Sequence, residues 1–222
     1  MLRPGKITDN RDEDSLAARM RRKRFELFLA LLKTVPKPVN ILDMGGTQRF
    51  WEVMDFTNEP DVFITLLNLT PPTVLYRNFL GVQGNALDLS RFREKEFDIV
   101  FSNSVIEHVG NYDNQRKMAQ EVHRIGKRYF VQTPNYYFPI EPHFLFPGFQ
   151  WMPIRLRILL IRHFKLGWVD KISDYDKAKE LIQNTRLLTR KALTTLFPNA
   201  SLYEEKIFGL VKSFVVYDGW QT

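Results

Sequence analysis

The sequence predicts an α/β fold with a doubly wound, mostly parallel sheet. Five short apolar runs lie between residues 39 and 135, and each one ends in small polar residues. Segments with helical patterning separate these runs, and a chain of 222 residues is long enough to form one such domain. Because the carboxyl ends of parallel strands meet along one edge of a sheet, the polar clusters should lie side by side there.

The first run, residues 39–44, ends in an acid and is followed by two glycines. Asp43 is the acid, and Gly45, Gly46 and Thr47 form the turn. Glycine allows the main chain to turn sharply and to approach a ligand closely, because it has no Cβ. The turn therefore lies where an open α/β sheet binds its ligand, although such turns also occur for purely structural reasons.

Four more runs continue the pattern, at residues 62–69, 80–84, 97–101 and 128–135. The second ends in Asn68 and Leu69, and the third leads into Asn85 and Ala86. The fourth ends in the sequence S-N-S-V-I-E-H-V, which contains Asn103, Ser104, Glu107 and His108. These residues are the polar groups that the predicted sheet edge brings together.

The flanking segments divide the chain into four parts. Residues 1–38 should contain an amphipathic helix from about Glu13 to Lys33, stopped by Pro36 and Pro38. Residues 39–135 form the sheet core, residues 136–188 form an insertion, and residues 189–222 provide a last helix and two strands that turn near Gly209. The insertion begins with prolines and aromatics up to Pro153, which predicts a rigid, aromatic-walled loop at the carboxyl end of the fifth strand.

The order of the motifs I-L-D-M-G-G, I-T-L-L-N-L, G-N-A-L-D-L and F-D-I-V-F-S-N-S-V-I-E-H resembles class I S-adenosylmethionine-dependent methyltransferases. The small-molecule branch of that family is the most similar, and residues 39–135 carry the resemblance. Residues 187–217 fit the family's last helix and closing antiparallel strand pair. The resemblance implies a seven-stranded Rossmann-like sheet and S-adenosylmethionine as the cofactor. The insertion after the fifth strand would then cover the cofactor crevice as a helical lid.

The resemblance also implies a role for each polar position. Asp43 would lie near the amino group of the methionine moiety, Asn85 and Ala86 beside the adenine, and Asn103 and Ser104 at the methionine end. Asn68 stands where the family usually has an acid that binds the ribose hydroxyls. The implied cofactor-binding set is Asp43, Gly45, Gly46, Thr47, Asn68, Leu69, Asn85, Ala86, Asn103 and Ser104.

Two positions depart from the family pattern. Asn68 can accept one hydrogen bond and donate another, but it lacks the charge-assisted bond of a carboxylate. The glycine turn continues as Thr47-Gln48-Arg49, without the family's usual later glycine. Either departure is compatible with weaker binding of the cofactor or with a different position of the glycine turn.

The candidate catalytic residues are His143, His108 and Glu141. A sugar hydroxyl that accepts a methyl group needs a general base, and histidine is suited to that role near neutral pH. Glu141 or Glu107 would orient a base or bind substrate. The structural alternatives are that His143 only holds the proline-rich loop and that His108 only caps the turn after the fourth strand.

Composition excludes some site types. The chain has no cysteine, so disulfides and thiolate metal sites are absent, and its four histidines lack metal-site spacing in the sequence. We therefore expect no metal. The net charge of +7 favours an anionic partner, but no basic–aromatic repeat indicates nucleic acid.

Residues 151–165 alternate apolar blocks with basic residues, including Arg155, Arg162 and Lys165. As a helix this segment could lie on an anionic membrane surface, or it could simply pack on the sheet or on a second subunit. No apolar run is long enough to span a bilayer. We expect a cytoplasmic protein, with peripheral contact at the inner membrane surface as an open alternative.

Three functions follow from the sequence. The first is a methyltransferase that acts on a small acceptor, a sugar hydroxyl of a saccharide or of a lipid-linked glycan. The second is a nucleic-acid methyltransferase, which the charge permits. The third is a methyltransferase-like scaffold without activity, which Asn68 and the altered glycine turn keep open.

Overall fold

The computed structural model describes residues 16–220, and its centre is one seven-stranded sheet. The strand order is β3-β2-β1-β4-β5-β9-β8. The strands are β1 (Val39–Met44), β2 (Val62–Asn68), β3 (Phe79–Gln83), β4 (Phe97–Asn103), β5 (Gly126–Pro134), β8 (Ser201–Ile207) and β9 (Leu210–Asp218). Strands β1 to β5 are parallel, whereas β9 runs antiparallel to both β5 and β8. The predicted fold class is confirmed.

Four helices accompany the sheet: α1 (Leu16–Leu32), α2 (Gln48–Val53), α3 (Tyr112–Ile125) and α6 (Arg190–Leu196). The predicted start of α1 near Glu13 lies outside the described residues. Thr189 caps α6 as expected, because its hydroxyl accepts a hydrogen bond from the amide of Ala192. No helix among residues 16–220 combines the length and apolar character needed to cross a membrane.

The expectation that a helical stretch follows each strand is wrong at two places. Residues 69–78 and 84–96 connect β2 to β3 and β3 to β4 without a helix. Pro71 and Pro72 cannot continue a helix in the first connection. In the second, the side chain of Asn85 accepts a hydrogen bond from the amide of Leu87, a local turn that competes with helix formation.

Apolar side chains cover both faces of the sheet. On one face Phe25 and Phe28 of α1 pack with Trp51 of α2 against Ile41 and Phe101. On the other face the buried residues of α3 and α6 pack against β4, β5 and β9. The carboxyl ends of β1, β2 and β4 therefore meet between two rigid layers.

Residues 136–188, called the insertion from here on, form a small unit beside the carboxyl end of β5. The insertion contains β6 (Ile140–Glu141), β7 (Phe146–Pro147), α4 (Ile154–His163) and α5 (Tyr175–Asn184). It has an apolar core of its own, formed by Phe144, Phe149, Ile158, Ile161, Ala178 and Ile182. This core allows the insertion to hold its polar residues in fixed positions against the sheet edge.

Candidate functional site

The glycine turn after β1 is packed so closely that it requires glycine. Gly45 has a φ of 70°, in the left-handed region that favours glycine. A Cβ on Gly46 would lie 1.8 Å from Oδ2 of Asp43, a distance that no side chain can tolerate. The hydroxyl of Thr47 then accepts a hydrogen bond from the amide of Phe50 and begins α2.

Asp43 lies buried beneath this turn. Its Oδ2 accepts a hydrogen bond of 2.8 Å from the indole Nε1 of Trp51. Burial raises the pKa of Asp43 to about 8, and the bond from Trp51 offsets only part of that rise. The sequence did not single out Trp51, whose apolar surroundings on α2 resemble those of an ordinary core residue.

Two cavities flank Gly45, which contributes to the walls of both. The first has a volume of about 380 Å³, and its walls include Asn68, Leu69, Asn85, Ala86 and His108. The second has a volume of about 370 Å³, and its walls include Asp43, Gly46, Thr47, Asn103, Arg21, Arg22 and Arg49. Nine of the ten predicted cofactor residues therefore line this pair of cavities, and three arginines that the sequence did not single out join them.

Ser104 is the one predicted cofactor residue outside the walls of these two cavities. Its hydroxyl donates a hydrogen bond of 2.8 Å to Oε1 of Gln132 on β5. Its backbone φ of 59° places it in the left-handed region, where β4 turns away from the sheet. Ser104 thus connects β4 to β5 at the edge of the site.

Asn68 and Asn85 both use part of their side chain within the protein. The amide Nδ2 of Asn68 donates a hydrogen bond of 2.7 Å to the carbonyl oxygen of Gly46, so it fixes the glycine turn. The Oδ1 of Asn85 accepts a hydrogen bond from the amide of Leu87. Asn68 keeps its oxygen for a ligand, and Asn85 keeps its NH₂ group.

The three predicted catalytic residues form one continuous chain of hydrogen bonds. The Nε2 atoms of His108 and His143 lie 2.9 Å apart. Nδ1 of His143 lies 2.7 Å from Oε1 of Glu141. The other carboxylate oxygen of Glu141 accepts hydrogen bonds from the amides of His143 and Phe144, which holds the acid in place.

The two imidazoles differ in basicity. Desolvation and the neighbouring His143 lower the pKa of His108 to about 4. Burial lowers the pKa of His143, but the hydrogen bond to Glu141 and the charges of Glu141 and Glu107 outweigh burial and raise it above 6.5. A proton that enters the pair therefore resides on His143.

Glu107 lies close to this pair. It is buried, and its Oε2 accepts a hydrogen bond of 3.0 Å from the hydroxyl of Thr133. Burial raises the pKa of Glu107 to about 7, and the charge of His143 limits the rise.

One side-chain atom each of Glu107, His108 and His143 lie within 4.8 Å of one another, close enough for a metal ion. We expected no metal because the histidines lie far apart in the sequence. The fold brings His108 and His143 together with Glu107, so distance in the sequence no longer argues against a metal site. A metal would compete with the proton that the two Nε2 atoms share.

Parts of this chain are similar in sequence to known proteins. Residues 60–129 match the family model described as a methyltransferase domain. The match is confined to that segment, which contains β2, β3 and β4. Two uncharacterized proteins from strains of Mycobacterium tuberculosis are each 39% identical to it over 66 residues, which are 30% of this chain and 22% of each relative. The chain therefore aligns with only a small part of those relatives.

Solved structures share the fold of this chain. The CurJ carbon methyltransferase superposes with a TM-score of 0.55 at 12% identity, over 92% of this chain and 55% of that one. The 1,6-didemethyltoxoflavin N1-methyltransferase of Burkholderia thailandensis, solved with bound 1,6-didemethyltoxoflavin and S-adenosylhomocysteine, gives a TM-score of 0.54 at 14% identity, over 89% of this chain and 76% of that one. At these identities the likeness shows the fold alone, and S-adenosylmethionine is the cofactor that the sequence resemblance implies.

The residues present fit that cofactor. It is an elongated molecule with an adenosine end and a methionine end, and the chain offers two cavities separated only by Gly45. The walls with Asn68 and Asn85 offer hydrogen-bonding groups for adenosine. In the other walls, the arginines offer positive charges that complement a carboxylate group, and Asp43 offers a carboxyl group that can accept a hydrogen bond from an ammonium group.

Proposed function

We propose that the protein is an S-adenosylmethionine-dependent methyltransferase that methylates a hydroxyl group of a small acceptor. The observation that carries this proposal is the hydrogen-bonded chain of His108, His143 and Glu141, which begins at the wall of a cavity that adjoins the glycine turn. A hydroxyl must lose its proton as it accepts a methyl group, and this chain of hydrogen bonds can receive that proton.

The cofactor, when bound, supplies a sulfonium methyl group, and the chemistry of that group is its own. The protein's contribution is to bring the acceptor oxygen into line with that methyl group and to remove its proton. Asn68, by holding the carbonyl of Gly46, and Asp43, by packing beneath the same glycine, fix the turn against which the cofactor rests.

Proton transfer then follows the chain of hydrogen bonds. Neutral His143 directs its Nδ1–H to Glu141, so its Nε2 accepts a proton from Nε2 of His108. Nδ1 of His108, which has no hydrogen bond to any of residues 16–220, is left with a lone pair. The hydroxyl proton passes to this Nδ1 as the Nε2 proton of His108 passes to His143. The resulting imidazolium is stabilised by the Glu141 carboxylate.

The acceptor we propose is a sugar hydroxyl of a saccharide or of a lipid-linked glycan. Aromatic rings are abundant in the insertion, where Phe144 and Phe149 stack with ring centroids 4.1 Å apart. The lipid-linked form is supported by α4, which exposes the apolar side chains of Leu156 and Leu159 and also carries Arg162. Such a surface can lie against an anionic membrane.

A label-transfer experiment tests this function. The protein is incubated with methyl-labelled S-adenosylmethionine and, in separate reactions, with soluble saccharides, lipid-linked saccharides, RNA and small amines. We expect a methyl ether on a saccharide hydroxyl, formed much more slowly by the variant His108→Ala. Label on a base or an amine nitrogen, unaffected by that substitution, would overturn the proposal.

A further inference from the structure

A third cavity lies between the insertion and the sheet edge, outside the two cavities that flank Gly45. Its volume is about 490 Å³. Its walls come from the segment after β5, from α4, and from the residues that connect α5 to α6, and they include Tyr136, Phe149, Gln150, Arg157 and Arg186. Glu141 also lines this cavity, so the chain of Glu141, His143 and His108 links it to the cavity beside Gly45.

Positive side chains outnumber acidic ones in the walls of this cavity, which contain Arg157 and Arg186 but one acid, Glu141. Arg157 forms no ion pair with any residue between 16 and 220, and its Nε is buried without a hydrogen-bond partner. Glu141, the acid in the walls, already accepts three hydrogen bonds from His143 and Phe144. Arg186 adds a second positive charge. Burial lowers the pKa of the half-buried Arg157, and the nearby charge of Glu141 offsets only part of that effect. An anionic ligand would supply the bonds that this guanidinium lacks.

Gln150 adds a second group that lacks a partner. Its Nε2 donates to the carbonyl oxygens of Tyr136 and Phe138 at 3.1 and 2.7 Å, so both donor hydrogens are used. Its Oε1 is buried and accepts no hydrogen bond from the described residues. A hydroxyl group of a ligand is a donor that would satisfy this oxygen. The apolar ring of Phe149 forms part of the same wall.

We propose that this cavity binds the anionic end of the methyl acceptor, while the reacting hydroxyl of the acceptor lies at His108 in the cavity beside Gly45. The acceptor is then a polyhydroxylated compound carrying an anionic group, either a phosphate or a carboxylate. Arg157 binds the anionic group, Arg186 adds to the positive field, and Gln150 accepts a hydrogen bond from a hydroxyl group. The role as acceptor site rests on the proposed function. The anion site itself stands on the unpaired guanidinium and does not depend on methyl transfer.

Calorimetric titration with three probes tests the inference. The probes are glucose 1-phosphate, glucuronate and neutral glucose, each added to protein saturated with S-adenosylhomocysteine. We expect one or both anionic probes to bind at least roughly tenfold more tightly than glucose, and Arg157→Met to remove this preference. A phosphate-only or carboxylate-only preference identifies the anionic group.

The matched control is Arg155→Met, which removes an exposed arginine of the same helix that does not line the cavity. We expect this variant to keep the anionic preference, and Arg157→Lys to keep part of it. Equal binding of all three probes, no binding of either anion, or an equal loss in Arg155→Met would overturn the inference. Affinity for S-adenosylhomocysteine is measured in parallel. If it is absent while the anions bind through Arg157, the proposed function fails and the anion site remains.

Discussion

The Nε2 atoms of His108 and His143 lie 2.9 Å apart, although 35 positions separate the two residues in the chain. The contact joins the end of β4 to the insertion. The backbone carbonyl of His143 accepts a hydrogen bond of 3.1 Å from the amide of Trp168, so a second loop of the insertion holds the residue in place. The pair therefore depends on the folded insertion, and His108 alone would have no partner to receive its proton.

The proposed proton relay, which runs from the acceptor hydroxyl through His108 to His143, predicts a large loss of activity when either imidazole is removed. His108→Ala and His143→Ala should each lower kcat by roughly 100-fold, because each breaks the same path for the proton. The double variant should be little worse than either single variant. The matched control is His163→Ala, which changes an exposed histidine of α4 and should leave kcat unchanged. Additive losses would contradict a shared path.

A pH profile distinguishes the relay from a purely structural pair. The active form has neutral His143, so kcat/KM should rise with pH, with a midpoint above 6.5. Glu141→Gln removes the carboxylate that raises the pKa of His143. Its midpoint should therefore move to lower pH, and its plateau rate should fall. An unchanged midpoint would show that His143 does not receive the proton.

Chelation separates the relay from metal chemistry. The relay needs the proton on Nε2 of His108 and the lone pair on Nε2 of His143, so prolonged treatment with EDTA should leave the rate of methyl transfer unchanged. Loss of activity that Mg²⁺ or Mn²⁺ restores would instead show that a metal bound near Glu107, His108 and His143 takes part.

Asp43 should make stability depend on pH. Its folded-state pKa is about 8, above the ordinary 3.8, so the buried neutral acid stabilises the fold below pH 4 and this advantage is lost as pH rises towards 8. Asn cannot ionise and can still accept the hydrogen bond from Trp51. Asp43→Asn should therefore raise Tm relative to the wild type by more at pH 8.5 than at pH 5, as scanning calorimetry would measure. A difference in Tm that is independent of pH would contradict the buried neutral acid.

Asn68 gives a prediction opposite to the family pattern. An acid at this position is usual in the family, yet Asn68→Asp should weaken binding of S-adenosylhomocysteine, by roughly tenfold, because a carboxylate cannot donate to the carbonyl of Gly46 and repels it. The matched control is Asn78→Asp, which loses a similar bond to the carbonyl of Val62, away from the glycine turn. The control should lose stability and keep its affinity. Tighter binding in Asn68→Asp would show that the ribose contact matters more than the turn.

The sequence predicted the parts of the molecule that local patterns specify. Period and composition located the strands, and the two glycines after Asp43 located the turn, because only glycine fits there. The connections around β3 were predicted less well, since two prolines and one asparagine turn replace helices. The pairing of His108 with His143, the Trp51 bond and the unpaired Arg157 depend on tertiary packing, which no spacing in the sequence reveals.

Calorimetric titration of the folded wild-type protein with S-adenosylhomocysteine tests the central claim most directly. The two cavities that share Gly45 should hold one molecule, so we predict 1:1 binding in the micromolar range and a matching rise in Tm. Absence of both heat and thermal stabilisation, in protein whose circular dichroism shows a folded α/β domain, would contradict the assignment as a methyltransferase that binds this cofactor.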